Sequence, residues 1–184
     1  MKEKHYYLIQ LYGKLRLVYV FCDLEDGTYD VDMLRIERRR DCWQCSWITF
    51  VQDVKPDKVL AEVSEEDAKS VLGIMKETAN EAAQLISADW KRCVSDDYPY
   101  CCTYDNESKY PYFTFMDKKR HENLLFWGEE LGLTYDASYF APESCWNGVY
   151  YEIPESVYEQ AIILAKQKST LLAQRFDELV EKIK

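Results

Sequence analysis

Residues 6–22, YYLIQLYGKLRLVYVFC, decide the fold class. β-Branched, aromatic and aliphatic residues dominate the stretch, and residues 5–12 and 15–22 form two β-rich runs separated by Gly13-Lys14. A Gly-X pair between such runs predicts a two-residue type II′ hairpin. Arg16 between Leu15 and Leu17 marks one solvated face.

Working outward, Asp26-Gly27 is the next tight-turn pair, before a run from Thr28 to Glu37 in which Asp30 and Asp32 alternate with Tyr29, Val31 and Met33. A polar break at residues 38–41 is followed by Ser46–Asp53, with Trp47, Ile48, Phe50 and Val51. These runs predict a four-stranded antiparallel meander, closed by Pro56 and Asp57.

Ser64-Glu65-Glu66-Asp67 then supplies an N-cap serine and first-turn acids that suit the helix dipole. Ala68, Val71, Leu72, Met75, Ala79, Ala82, Ile86 and Trp90 follow at helical steps and predict one long helix. Residues 93–112 lack any period and read as a long loop with room for one short strand. Tyr112–Met116 predicts a strand, and Asp117 is placed to cap a shorter middle helix running to about Leu131, with Gly132 at the C′ position. Short strands are expected at 133–139 and 149–153. From Pro154 a stripe of Val157, Ala161, Leu164, Ala165, Leu172, Phe176, Leu179 and Ile183 predicts a last helix about 45 Å long. The end of such a helix is a candidate for contact with a second copy.

The expected architecture is therefore α+β: an antiparallel sheet of six to eight strands packed against two long helices and one shorter one, in a single domain. Glu62-Val63-Ser64-Glu65 and Glu152-Ile153-Pro154-Glu155 align at an offset of 90, which raises the alternative of two packed β-then-α halves, 1–92 and 93–184.

Composition bounds the function. The chain has 184 residues, with 23 Lys plus Arg against 33 Asp plus Glu, a net charge of −10. Such a field excludes a broadly cationic coat for nucleic acid, whose affinity rests on clustered Lys and Arg. The C-terminal half carries the larger excess of acid and ten of the fifteen tyrosines. Lys2 and Lys4 precede an apolar stretch, but Gln10, Lys14 and Arg16 interrupt it and no small-residue cleavage site follows, so no secretory signal or membrane span is expected. Seven irregularly spaced cysteines, two of them adjacent, argue for reduced thiols in the cytoplasm.

Three constellations carry chemistry. Cys42-Trp43-Gln44-Cys45 has the CxxC spacing of a redox pair or half a zinc site. The following strand denies it a helix N-terminus, and a zinc ion would have to draw two remaining ligands from Cys101, Cys102 and His121, of which the adjacent cysteines would face opposite ways in an extended segment. Reduced structural thiols are the expectation, and no cofactor is expected. The basic clusters Arg38-Arg39-Arg40 and Lys118-Lys119-Arg120-His121, the second at the start of the predicted middle helix, suit a small anion or nucleotide, with or without catalysis. No phosphate loop and no hydrolase motif accompanies them.

The third is the acidic, tyrosine-rich segment that holds Asp96, Asp97, Tyr98, Tyr100, Tyr104, Asp105, Glu107, Tyr110 and Tyr112. Tyrosine offers stiff amphipathic area at low entropic cost, and interleaved acids select a basic partner. The favoured reading is a non-catalytic cytoplasmic protein that binds a protein with a basic surface through this segment. In size and charge the chain is similar to inhibitors and immunity proteins directed against nucleic-acid-handling enzymes, including those of phages and other mobile elements.

Overall fold

The computed structural model describes residues 5–23, 27–87, 89–93, 98–105, 112–135 and 150–183. The chain runs β1 (Tyr6–Leu11), β2 (Lys14–Asp23), β3 (Tyr29–Arg38), β4 (Trp43–Val54), β5 (Lys58–Val63), α1 (Glu65–Ala83), β6 (Arg92–Cys93), β7 (Tyr100–Asp105), β8 (Tyr112–Asp117), β9 (Glu122–Phe126), β10 (Glu130–Thr134), β11 (Tyr150–Glu152) and α2 (Glu155–Ile183). Every strand pairing is antiparallel, in the order β5-β1-β2-β3-β4-β10-β9-β8-β7-β11-β6.

The order has an internal logic. β5 returns beside β1 at one margin, β11 returns beside β7 towards the other, and each of these two strands leads into a helix. The aligned tetrapeptides at 62–65 and 152–155 stand at these two strand-to-helix junctions. The two halves of the sheet meet where β4 pairs with β10, through Ser46–Glu130 and Cys45–Leu131.

The N-terminal half must curl. β4 and β5 lie four strand spacings apart in the sheet order, about 19 Å if flat. Only residues 55–57 connect them, a span of about 14 Å fully extended. Curling closes the difference and encloses Ile9, Leu11, Val18, Val31 and Val54 on the face away from the helices. The connection is stitched to the first hairpin: Asp57 N–H donates to the Gln10 carbonyl at 2.8 Å, and the Asp57 carboxylate accepts from Gly13 N–H at 2.9 Å. The main core lies on the other face, where α1 and α2 cross the sheet over Leu8, Leu17, Leu34, Phe113, Phe115 and Phe126.

The capping read from sequence holds at α1, where Ser64 accepts from Asp67 N–H. The helix ends at Ala83, short of Ile86 and Trp90, and Trp90 instead packs edge-on against Phe115 at 6.5 Å. α2 spans 29 residues as its stripe predicts. Its end is tied to the start of α1 by Lys182, which donates to both Asp67 carboxylate oxygens at 2.9 Å.

Three expectations are corrected. Among the described residues the architecture is an eleven-stranded sheet with two helices, so neither the three-helix count nor a sheet of six to eight strands stands. The middle helix is absent: residues 117–131 form the β8–β9 turn, β9 and the start of β10. Asp117 does cap the segment, but it accepts from Arg120 N–H at 3.1 Å inside a turn, chemistry that N-caps and turns share. His121, at φ 53°, reverses the chain, and Leu124, Leu125 and Phe126 are buried in succession, as in a strand covered on both faces. Gly132 lies in β10 at φ 145°, where a Cβ would meet Trp43 O at 2.6 Å, and not at a helix end.

The third correction is one of register. The first hairpin turns on Tyr12-Gly13, with φ 50° and 71°, so it is a type I′ turn between the paired Leu11 and Lys14 and not a II′ turn on Gly13-Lys14. β5 carries no predicted counterpart. Its signal is hidden because Lys58 and Glu62 interrupt a short run at a sheet margin.

Candidate recognition surface

Beyond the first turn of α1, the helix-bearing face of the N-terminal half presents a row of rings. Tyr6 on β1 lies 5.0 Å from Tyr19 on β2 and 6.4 Å from Trp47 on β4. Tyr19 meets Phe21 edge-on at 5.3 Å, and Phe21 stacks on Phe50 at 5.9 Å with the planes 13° apart. Strand alternation places these side chains together from three different strands.

Phe50 is the unusual member. It is 80% exposed and sits at φ 56°, a conformation that costs a side-chain-bearing residue about 1 kcal/mol or more. It lies in β4 where the β3–β4 register shifts between Val31 and Met33. Asp32 pins it, accepting from Phe50 N–H at 2.9 Å and also bonding the Trp47 side chain. Burial pushes the Asp32 carboxyl up, and these two hydrogen bonds oppose that shift. Asp53 repeats the device at φ 54°, its N–H donating to Asp30 at 3.2 Å. Two aspartates of β3 thus hold two bulges of β4, and the first turns a phenylalanine ring out to solvent.

The surroundings are acidic. Asp32 and Glu65 border the row, while Lys69 is itself paired with Glu65 at 2.6 Å. Rings with carboxylates beside them suit a guanidinium, which stacks on an aromatic face and pairs with an acid at its edge.

The sequence-derived candidates are distributed differently. Asp96, Asp97, Glu107 and Tyr110 lie outside the described residues, as does the Asp105 side chain. Tyr100 donates to Glu155 at 2.6 Å, which pushes its hydroxyl up to about 12. Tyr104 stacks on Tyr151 at 4.9 Å, Tyr112 meets Trp127 edge-on at 6.0 Å, and Tyr98 packs beside the small cluster of Cys101, Met116 and Tyr150. These four tyrosines are half-buried ring packing.

The basic clusters do not make a helix-terminus anion site, because no helix starts at Asp117. Lys118, Lys119, Arg120 and His121 occupy a hairpin turn, with Lys118 over the Tyr150 ring at 5.8 Å and Arg120 beside Asp117. In the other cluster Arg38 lies over Trp43 at 5.2 Å, Arg40 over Tyr135 at 4.7 Å, and Arg39 donates to Glu37 and Gln44.

Cys42 and Cys45 are buried under α2, the Cys42 sulfur 3.1 Å from the Ser169 hydroxyl. Burial pushes both thiols up, Cys45 to about 12, which opposes a reactive thiolate. Cys101 and Cys102 point to opposite faces of β7, into different clusters. Among the described residues no group of three or more His, Cys, Asp and Glu side chains can hold a metal ion.

The aromatic row is not legible in the sequence as a site. Its signal lies in Asp30 and Asp32 alternating along β3 opposite Phe50 and Asp53, which acquires meaning only with the β3–β4 register. No family model, curated protein or solved structure matches the chain.

Proposed function

We propose that this protein is a non-catalytic binding protein whose acidic aromatic row takes an arginine-bearing segment of a partner protein. The observation that carries the reading is Phe50: a large apolar side chain held in solvent at a strained backbone conformation by Asp32. Strain of this kind persists where surrounding structure over-determines it, and it concentrates at functional positions. The bordering acids match the overall charge of −10, which speeds the approach of basic partners. An inhibitor or immunity role against a nucleic-acid-handling enzyme is compatible in charge, since such enzymes expose basic surfaces.

The test is a calorimetric titration with a twelve-residue peptide alternating Arg and Gly, and with its Lys counterpart. Saturable binding of the Arg peptide is expected, tighter than that of the Lys peptide, and weakened about tenfold or more by Phe50→Ala. Equal affinity of wild type and Phe50→Ala, or no saturable binding, contradicts the reading. Replacing Asp96, Asp97, Asp105 and Glu107 by their amides is expected to slow association and flatten its salt dependence, measured by stopped flow. An unchanged salt slope removes that segment from the encounter.

A further inference from the structure

The sulfurs of Cys93 and Cys101 stand 3.9 Å apart. Cys101, near the start of β7, is buried with Met116 and Tyr150 on the face away from the helices, and Cys93 packs against that cluster from β6. No CxxC spacing joins the two residues. Strand β11 brings them together: Tyr150 pairs with Cys93 on one side of it, and Glu152 with Cys101 on the other.

The other described thiols are engaged differently. The Cys42 sulfur meets the Ser169 hydroxyl at 3.1 Å, Cys45 faces the Ser169 carbonyl at 4.0 Å, and Cys102 bonds to the Thr103 carbonyl at 3.3 Å. All three are buried in the main core, against oxygen atoms. Between Cys93 and Cys101 the contact is sulfur to sulfur.

Three features suit this pair to oxidation. Cys93 is half-buried, on the last strand of the sheet, so a small oxidant reaches it from solvent. A positive charge lies close by, since the Lys118 ammonium stands over the Tyr150 ring at 5.8 Å. Partly exposed sulfur beside a cation is the setting in which thiols react. Burial, with the Cys93 sulfur adjoining, pushes the Cys101 thiol up to about 12, while Lys118 pulls it down. Cys93 is therefore the sulfur that reacts first, and Cys101 the one that closes the bond. The third feature is room to move. A disulfide needs about 2.0 Å between sulfurs, so the pair must approach by about 2 Å. Strand β6 has two residues, tied to β11 through Tyr150–Cys93, Tyr151–Arg92 and the Glu152 N–H bond to the Lys91 carbonyl. A margin strand this short shifts without disturbing the core.

We propose that Cys93 and Cys101 form an oxidisable dithiol, which a hydroperoxide converts to a disulfide that fastens the margin strand β6 to β7 across β11. The Cys93 sulfur attacks a peroxide oxygen. An S–O bond forms, the O–O bond breaks, and with hydrogen peroxide the departing hydroxide leaves as water with the thiol proton. The Cys101 sulfur then attacks the Cys93 sulfenic acid. An S–S bond forms, the S–O bond breaks, and the second hydroxide leaves as water with the Cys101 proton. The two sulfurs give up two electrons, and the peroxide becomes two waters. The ring so closed runs from residue 93 to 101 and includes Asp96 and Asp97. This inference does not depend on the reading given to the Phe50 row.

The test treats the full-length native protein with a small excess of hydrogen peroxide, blocks remaining thiols with iodoacetamide, and maps the unreduced digest by mass spectrometry. A Cys93–Cys101 linkage is expected, formed about tenfold or more faster than any linkage of Cys42, Cys45 or Cys102, and reversed by dithiothreitol. Its formation is expected to slow about tenfold or more once urea has unfolded the chain, because the sulfurs then lose their proximity. Cys101→Ala is expected to leave Cys93 as a sulfenic acid that dimedone traps, and Cys93→Ser to leave Cys101 a thiol. Four results in the wild-type protein overturn the proposal: no oxidation of Cys93, oxidation of Cys93 to the sulfinic acid with Cys101 still a thiol, preferred linkage of either residue to another cysteine, or a rate indifferent to urea.

Discussion

Gly132→Ala is expected to lower the unfolding free energy by about 3 kcal/mol, from overpacking combined with an unfavourable backbone conformation. Gly132 sits at φ 145°, and a Cβ there would lie 2.6 Å from Trp43 O and 2.7 Å from Gln44 Cα. Both obstacles are backbone atoms of β4, so relief requires β10 and β4 to separate. That is the seam between the two halves of the sheet, where the ladder is short: Glu130–Ser46 and Leu131–Cys45, with Trp47 N–H donating to the Glu129 carbonyl beside them. Gly13→Ala provides the contrast. Gly13 has φ 71° and an added Cβ would meet nothing within 4 Å, so only the left-handed conformation counts against it, about 1 kcal/mol. Urea denaturation of the two variants reads the difference. Equal losses would show that β10 does not approach β4 as described.

The second large effect is alkaline. Burial holds the Cys45 thiol up at about 12, and the Cys102 thiol well above its ordinary value of 9.0. In the unfolded chain both ionise near pH 9. The folded state therefore binds more protons above that pH, and stability falls as pH rises from about 9 towards 12, at about 1.4 kcal/mol per unit for Cys45, with Cys102 contributing in the same direction. Cys45 alone accounts for a loss of about 3 kcal/mol by pH 11, and Cys102 acts in the same direction. Tyr158, buried on α2 and beside Glu122, shifts in the same direction. Below pH 8 these groups are protonated in both states and contribute no slope. The check is the urea midpoint at pH 8, 9, 10 and 11 for wild type and for Cys45→Ala, whose slope should be shallower. A flat wild-type profile would mean that these thiols are solvated.

What can be read in the sequence follows from where its signals are local. The last helix is legible because Ala161, Ala165, Leu172 and Leu179 keep one face over 29 residues, and all four are buried. The capping of α1 is legible because Ser64 and the acids after it act within one turn. Residues 117–131 mislead for the same reason. Asp117, three cations and a later glycine satisfy the local grammar of a helix, while the facts that make them a hairpin are distant. Phe113, Phe115, Leu124 and Phe126 are buried together beneath both helices, and Gly132 passes against β4. β5 escapes a local reading because its reason for existing is Tyr6–Leu8 of β1, more than fifty residues away.

The candidate surfaces divide likewise. The basic and tyrosine-rich clusters are runs along the chain, and in the folded protein most of their described members are occupied with neighbours. The Phe50 row assembles from residues far apart in sequence. It depends on register, and a slip of one residue would turn Asp32 to the opposite face.

The claim on which the functional account turns is that basic segments are received at the Phe50 row. Chemical-shift mapping on the isotopically labelled protein, titrated with the alternating Arg–Gly peptide, tests it directly. The account predicts that the Trp47 indole N–H and the amides of Phe50, Phe21 and Tyr19 move first and furthest, with saturation, and that Phe50→Ala abolishes the pattern. Shifts spread over the carboxylates of both helices, with the Phe50 region unmoved, would contradict it.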